Sequence, residues 1–410
     1  MKNNTIESSY WRKNLFVISF AEFLAVSGFT IVNPFLPLYL QQLGGYTNKE
    51  AALWSGIAIG GGGIAMFLSA PMWGLVSDRL GRKPMLLRAL FGGALVVGLY
   101  TLMSNVHFFI GLRMIQGIFT GTVAAGAALI ATATPKNRIP FAMGIMTGSV
   151  YAGNSFGPLM GGLLADNFGF TSTFIVTSAL LITGGILVLL LTQENFVPPI
   201  KERRISLAQT LRLAISPDIL PLLLVIIAIN MGPQMISPVI TLIIGALNPA
   251  GDVATSAGLT FALMGVIASV SSFVISRINT RFSLKNILIF SCLITGLLYL
   301  PPIWSRTITQ IIITVGLTGL LVGGTIISSN SIISFSVPAD QQGIAFGLAQ
   351  SATSLGRGLG PLIGGGLAPL IGLRSVFGAV AGVFAIVGVL SAIILSKRPD
   401  PALKHNRVRK

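Results

Sequence analysis

A chain of 410 residues with 53% hydrophobic side chains, only 9% charged ones and a mean hydropathy of +0.83 is not an ordinary soluble domain, in which about a quarter of residues carry charge. Its net charge of +16 would suit a nucleic-acid binder, but the lysines and arginines gather in alternate loops and at the two ends, as they do in membrane chains. The single cysteine, Cys292, excludes an internal disulfide. No cluster of metal ligands, no nucleotide loop and no sizeable polar domain points to an enzyme or to a bound cofactor.

Twelve apolar stretches follow in chain order, near residues 15–40, 52–76, 84–104, 106–131, 140–165, 170–192, 218–246, 256–278, 284–304, 307–332, 342–368 and 373–396. Each is long enough to cross about 30 Å of hydrocarbon as a helix. The first is too long for a signal-peptide core and lacks a small-residue cleavage site, so it reads as helix 1, retained. One side of the membrane collects Lys2, Arg12, Lys13, Arg79, Arg82, Lys83, Arg88, Lys136, Arg138, Lys201, Arg203, Arg204, Arg212, Arg277, Arg281, Lys285 and the basic end from Lys397. The other side holds Lys49, Arg306 and Arg374. Both termini are therefore expected in the cytoplasm of a bacterial inner (plasma) membrane. The expected fold is an all-α polytopic membrane protein: six helices over 1–192, a cytoplasmic linker over 193–217, six helices over 218–396 and a basic tail over 397–410.

The halves repeat. Gly144, Gly153, Gly157-Pro158 and Gly161-Gly162 recur as Gly347, Gly356, Gly360-Pro361 and Gly364-Gly365, a constant step of 203 (356 − 153). Phe168 to Phe174 matches Ile371 to Phe377 at the same step. Two pseudo-symmetric bundles of this kind place the default substrate site in a midplane cavity between them.

Four motifs carry a family likeness. Gly74, Asp78, Arg79, Gly81, Arg82 and Lys83 form a charged, glycine-bearing turn between helices 2 and 3. Arg113, Gln116 and Gly117 follow in helix 4, Gly148, Gly153, Gly157, Pro158, Gly161 and Gly162 in helix 5, and Pro34 and Pro37 late in helix 1. The set resembles the major facilitator superfamily, and within it the twelve-helix multidrug:proton antiporters. The resemblance implies that the turn is a conformational latch, with Asp78 capping the start of helix 11, that Arg113 serves proton coupling, and that the helix 5 glycines belong to an exporter. The same glycines also read as a plain packing seam, since Gly360 and Pro361 repeat Gly157 and Pro158 in helix 11. The loop after helix 8 keeps no carboxylate, with Asn279 near the equivalent position, so the latch is one-sided.

Glu22 is the one acid of eleven well inside an apolar span. Burial disfavours a charged carboxyl, so Glu22 is a candidate proton carrier, or else a glutamate held in water near the cytoplasmic end. Asn33 lies on almost the same helical face. Arg357, in mid-helix 11 between Gly356 and Gly358, is the counterpart of Asn154 and shares a stripe with Gln350. It suits either an anionic group on the cargo or an internal partner. Tyr151, Asn154, Asn230, Gln234 and Asn330 complete the candidate cavity set, each also open to a plain inter-helix hydrogen bond. Phe23, Phe29, Met146 and Phe346 are candidates for an apolar wall. The leading expectation is a monomeric, proton-coupled exporter of small hydrophobic molecules, with the lipid bilayer as its surroundings. An exporter of an anionic metabolite such as a carboxylate siderophore, and a non-transporting membrane receptor, remain open.

Overall fold

The computed structural model describes residues 2–194, 196, 207–249, 251–278, 283–335 and 342–396. Expectations for most of the linker, for the basic tail and for Asn279 lie outside them. Among the described residues the chain is all helix, without strands. Helix 1 runs Lys2–Ile31 and resumes as Leu36–Gly44, and helix 2 is Asn48–Leu80. Helix 3 is Arg82–Leu99, and helix 4 is Val106–Phe119 continued by Thr122–Ala133. Helices 5 and 6 form one run, Ile139–Leu191, turned at Gly169. After a short segment at Leu207–Ala214, helix 7 is Leu220–Met235 with Ile240–Leu247. Helix 8 is Val253–Ile278, helix 9 Leu284–Leu298, helix 10 Ile308–Phe335, helix 11 Gln342–Ile371 and helix 12 Ser375–Ser396.

The interruptions have local causes. Pro34 breaks helix 1 and Pro238 breaks helix 7, since neither ring nitrogen can donate to the helical ladder. These prolines are 204 residues apart (238 − 34). Helix 4 breaks at Gly121, whose φ of +123° only glycine adopts readily. The turns from helix 5 to 6 and from helix 11 to 12 use Gly169 (φ +76°) and Gly372 (φ +91°), again one repeat step apart. Helix 2 starts with a reciprocal cap, in which Thr47 N donates to Glu50 Oε2 at 2.9 Å and Glu50 N donates to the Thr47 hydroxyl at 3.4 Å.

The buried apolar side chains fall into two clusters. One runs from Trp11 to Val188 and takes in only Ala254 from the second half. The other runs from Ile219 to Val387 and takes in only Ala51 and Ala52 from the first. Large apolar side chains such as Leu68, Leu95, Phe108, Leu190, Phe290 and Leu370 are exposed around the outside, as suits a chain whose solvent is lipid.

Candidate functional site

The halves meet along two glycine seams. Helix 11 lies on helix 2: a methyl group on Gly63 would sit 2.7 Å from Gly358 Cα, and one on Gly365 would collide with Ala52 O and sit 2.9 Å from Gly56 Cα. Helix 5 lies on helix 8: methyl groups on Gly162 and Gly258 would strike Ala254 O and Pro158 O, and one on Gly265 would sit 2.5 Å from Ser155 Oγ. These contacts occupy the ends of the four helices remote from the arginine- and lysine-rich loops. The Thr241 hydroxyl of helix 7 adds a hydrogen bond to Pro34 O in the broken turn of helix 1. Asp166, at the end of helix 5, caps the start of helix 8, accepting from Thr255 N at 2.7 Å and Ala254 N at 3.3 Å.

Towards the basic end the seams part. Gly74, Gly144, Gly148 and Gly347 continue the same helical stripes, yet a Cβ on any of them would meet nothing within 4 Å. Among the described residues the molecule is thus closed at one end and open at the basic end. An Asp166→Ala variant should therefore loosen the closed end, but modestly, because Asp166 is exposed and its attraction to the helix start is screened. About a two- to fivefold rise in labelling, by an impermeant maleimide, of a cysteine introduced at Ser55 in a Cys292→Ser background is the expected result.

Within each half a second set of glycines brings the flanking helix onto the one beside the central space. Gly153 and Gly157 press on Phe23 O, Ser27 and Thr30 of helix 1. Gly356 and Gly360 press on Ile227 O, Asn230, Met231 O and Gln234 of helix 7 in the same way. Asn230 and Gln234 are half-buried in that seam, and Asn230 Nδ2 donates to Ile226 O at 2.9 Å. Pro158 and Pro361 face the opposite half, against Gly258 and Gly56. On the angle between the two seams, helix 5 places Asn154 and helix 11 places Arg357. Asn154 bonds back to Val150 O at 2.9 Å. Arg357 is exposed, as is Gln350 two turns towards the open end, and Tyr151 of helix 5 is near enough to act on Arg357 electrostatically. Asn33 is half-buried in the broken turn of helix 1, beside the closure. The side chains of Asn330 and Phe346 lie outside the described set.

Glu22 and Arg113 sit elsewhere, inside the first half. Glu22 is 1% exposed, with neither carboxylate oxygen hydrogen-bonded. It points at helix 4, where a methyl group on Gly126 would come within 2.7 Å of Oε1, and Thr122 stands one turn away, near but without hydrogen-bond geometry. Arg113 is 7% exposed and turns to helix 3. Its Nη1 donates to Gln116 Oε1 at 3.1 Å, the Tyr100 hydroxyl donates to the same oxygen at 2.6 Å, and the guanidinium lies 5.5 Å from the Tyr100 ring centre. Glu22 and Arg113 make no ion pair with one another, since neither Glu22 oxygen has a partner. Of the expected apolar wall, Met146 is buried against Gly126 and Phe29 packs on Gly93, so neither faces the opening.

At the turn between helices 2 and 3 the decisive partner is Glu194, which the sequence reading did not single out. Its carboxylate accepts from Arg82 N and Lys83 N, each at 2.8 Å, capping helix 3. Lys83 Nζ in return donates to Leu189 O at 2.9 Å and Thr192 O at 2.7 Å, capping helix 6. Gly81 takes φ +98°, and a methyl group there would lie 2.9 Å from Glu194 Oε2. Arg79 and Gly74 are exposed, and the Asp78 side chain is outside the described set. Glu194→Gln should lower stability by about 1 kcal/mol, the worth of a helix cap. A lower thermal midpoint of the purified protein in detergent would show it, and an unchanged midpoint would mean that water replaces the cap.

The family model for the Major Facilitator Superfamily matches residues 18–268 and 222–410. The chain belongs to the major facilitator superfamily. Among similar members, the multi-drug resistance efflux pump PmrA homolog of Lactococcus lactis is 31% identical over 395 residues, covering 95% of this chain and 96% of that one. The multidrug resistance protein MdtG of Klebsiella pneumoniae (strain 342) is 32% identical over 399 residues, covering 97% of each. Solved structures share the superfamily fold at low identity. The nucleoside transporter NupG has a TM-score of 0.77 at 13% identity, covering 93% of this chain and 99% of that one. A bacterial homolog of the human lysosomal transporter Spinster, solved in an inward-facing and occupied conformation, has 0.74 at 14%, covering 96% of each. Nine segments here are long and apolar enough to cross a membrane among the described residues, and Ile139–Leu191 is one of them. Its kink at Gly169, with helices 10 and 11, brings the superfamily's twelve crossings into view.

Proposed function

We propose that this chain is a proton-coupled exporter of multidrug type, a monomer in a bacterial inner membrane with both termini in the cytoplasm. The observation that carries the reading is the one-ended closure. Seams that meet by bare backbone at one end and part along the same stripes at the other are the form of an alternating-access carrier caught open on one side. With the basic loops placed in the cytoplasm, that side faces inward. The relatives named as efflux pumps supply the direction and the breadth of cargo.

Glu22 carries the proton. Without an ion pair or hydrogen bond around it, a buried carboxyl is tolerated in its neutral, proton-bearing form. Its counterpart across the repeat is Ile226, so the second half offers no equivalent acid. Arg113, turned to Tyr100 and Gln116, positions helix 4, which forms the other wall of the Glu22 pocket. The Gly74–Lys83 turn with Asp78 closes the cytoplasmic side when the carrier faces outward.

Purified protein in liposomes tests this. Acidifying the face away from the basic loops should drive a lipophilic dye such as N-phenyl-1-naphthylamine towards that face, and a protonophore should abolish the movement. Dye movement indifferent to the pH gradient would refute proton coupling, and no movement at all would refute transport of this class of cargo.

A further inference from the structure

We infer that the central space selects amphiphilic molecules bearing an anionic group, anchored by Arg357, so that a sulfonate or carboxylate on the cargo raises its affinity; this rests on the transport reading above.

Position comes first. Gly356 packs on Ile227 and Asn230 of helix 7, while Gly358 packs on Gly63 and Ile64 of helix 2. The residue between them projects into the angle between helices 7 and 2, and that angle opens on the space between the halves. Tyr151 reaches the same region from helix 5, which belongs to the other half and touches neither helix 2 nor helix 7 through its glycine seams. The two side chains therefore face one another across the central space.

Charge comes second. Arg357 is exposed, and among the described residues it has no hydrogen-bonded or ion-paired partner. The other interior arginines belong to the first half: Arg113 bonds to Gln116 through Nη1, with Nε and Nη2 unpartnered, and Arg88 lies 3.6 Å from the ring centre of Trp73, with Nε and Nη1 unpartnered. Of the chain's acids, Glu22 alone falls well inside a span, and it is buried inside the first half against helix 4. Asp166 is committed to the start of helix 8 and Glu194 to the start of helix 3.

An uncompensated guanidinium at mid-depth of a membrane protein is costly. A planar anion relieves that cost, because the fork of N–H donors binds carboxylates and sulfonates in pairs. The flanking glycines add no side chains that would shield the guanidinium. The repeat makes the site one-sided, since the same position in the first half is Asn154, already bonded to its own helix. A cavity lined by carboxylates would favour lipophilic cations; here the fixed charge has the opposite sign.

Two dyes with the same ring framework separate charge from shape: 1-anilinonaphthalene-8-sulfonate, an anion, and N-phenyl-1-naphthylamine, its neutral analogue. Binding of each to the full-length protein in detergent is measured by fluorescence for wild type, Arg357→Gln and Arg357→Lys. Arg357→Gln should weaken the sulfonate dye about tenfold, the worth of one charge-assisted contact. It should leave the neutral dye unchanged, which also shows that the variant folds. Arg357→Lys should fall between, keeping the charge and losing the fork. Equal weakening of both dyes, or no weakening of the sulfonate dye, overturns the inference; if Arg357→Gln does not fold, sulfonate binding by Arg357→Lys equal to wild type does the same. Transport then separates the two readings. If the sulfonate dye binds through Arg357 and neither dye moves under a pH gradient, the exporter reading fails and the inference stands. If both dyes move and Arg357→Gln alters neither, the inference fails and the exporter reading stands.

Discussion

Glu22→Gln should reduce pH-gradient-driven dye movement to the level of protein-free liposomes while the protein still folds and binds the dye. Glutamine fills the same volume and keeps the polar tip but cannot exchange a proton. The site has little slack for a different solution, since Glu22 is 1% exposed and wedged where only the bare backbone of Gly126 leaves room. No acid in the second half stands in for it, because Ile226, 1% exposed, occupies the equivalent place in helix 7. The measurement is initial-rate dye transport with the gradient imposed, reversed and collapsed by a protonophore. Full gradient-driven transport by the variant would remove Glu22 as the carrier and send the search to acids at the helix ends.

Gly365→Val should disable the outer closure and cut transport at least about tenfold. The new side chain would strike Ala52 O and crowd Gly56, contacts that exist only while helices 2 and 11 are together at that end. Forcing extra carbon atoms into such a seam costs about 1–3 kcal/mol. Because the cost falls on one conformation alone, it shifts the equilibrium between the two by about 5- to 150-fold. A cysteine at Ser55, buried in helix 2 of the closed form, reports the shift. In a Cys292→Ser background, Ser55→Cys should become reactive to an impermeant maleimide added from outside once Gly365→Val is present. Gly162→Val, against Ala254 and Thr255 on the other seam, should behave alike.

Much of this was legible in the sequence because the features are periodic. Apolar length marks the helices, and the glycine step of 203 marks both seams before any contact is seen. The positive-φ turns at Gly169 and Gly372 obey the same step. Pro34, in the motif late in helix 1, was visible too. What the sequence hid is pairing across long separations. Glu194 caps a helix that begins 112 positions earlier, and Asp166 accepts from Thr255, 89 positions later, in the first turn of helix 8; neither has a local signal beyond being an acid near a helix end. The direction of a side chain was also beyond a helical wheel. Glu22 and Asn33 share a stripe, yet the break at Pro34 puts Asn33 beside the closure, while helix 4 takes Glu22 into the first half. Arg113, with Gln116 one turn on, is claimed by Tyr100 from the turn after helix 3. The charged groups inside this protein therefore divide into two sets. Glu22 and Arg113 are enclosed by one bundle, and Arg357 is exposed on helix 11 of the other.

The most direct test of alternating access is a pair of distance distributions from spin labels. One pair is placed at the closed end, on Asn48 and Asn248, and the other at the basic end, on Leu80 and Ile215, all of them exposed. Moving from acidic to neutral pH in lipid nanodiscs should lengthen the first distance and shorten the second together, because the form shown buries Glu22 and tolerates it only with its proton. Distances that stay fixed, or that lengthen at both ends at once, would contradict a carrier that opens one side by closing the other.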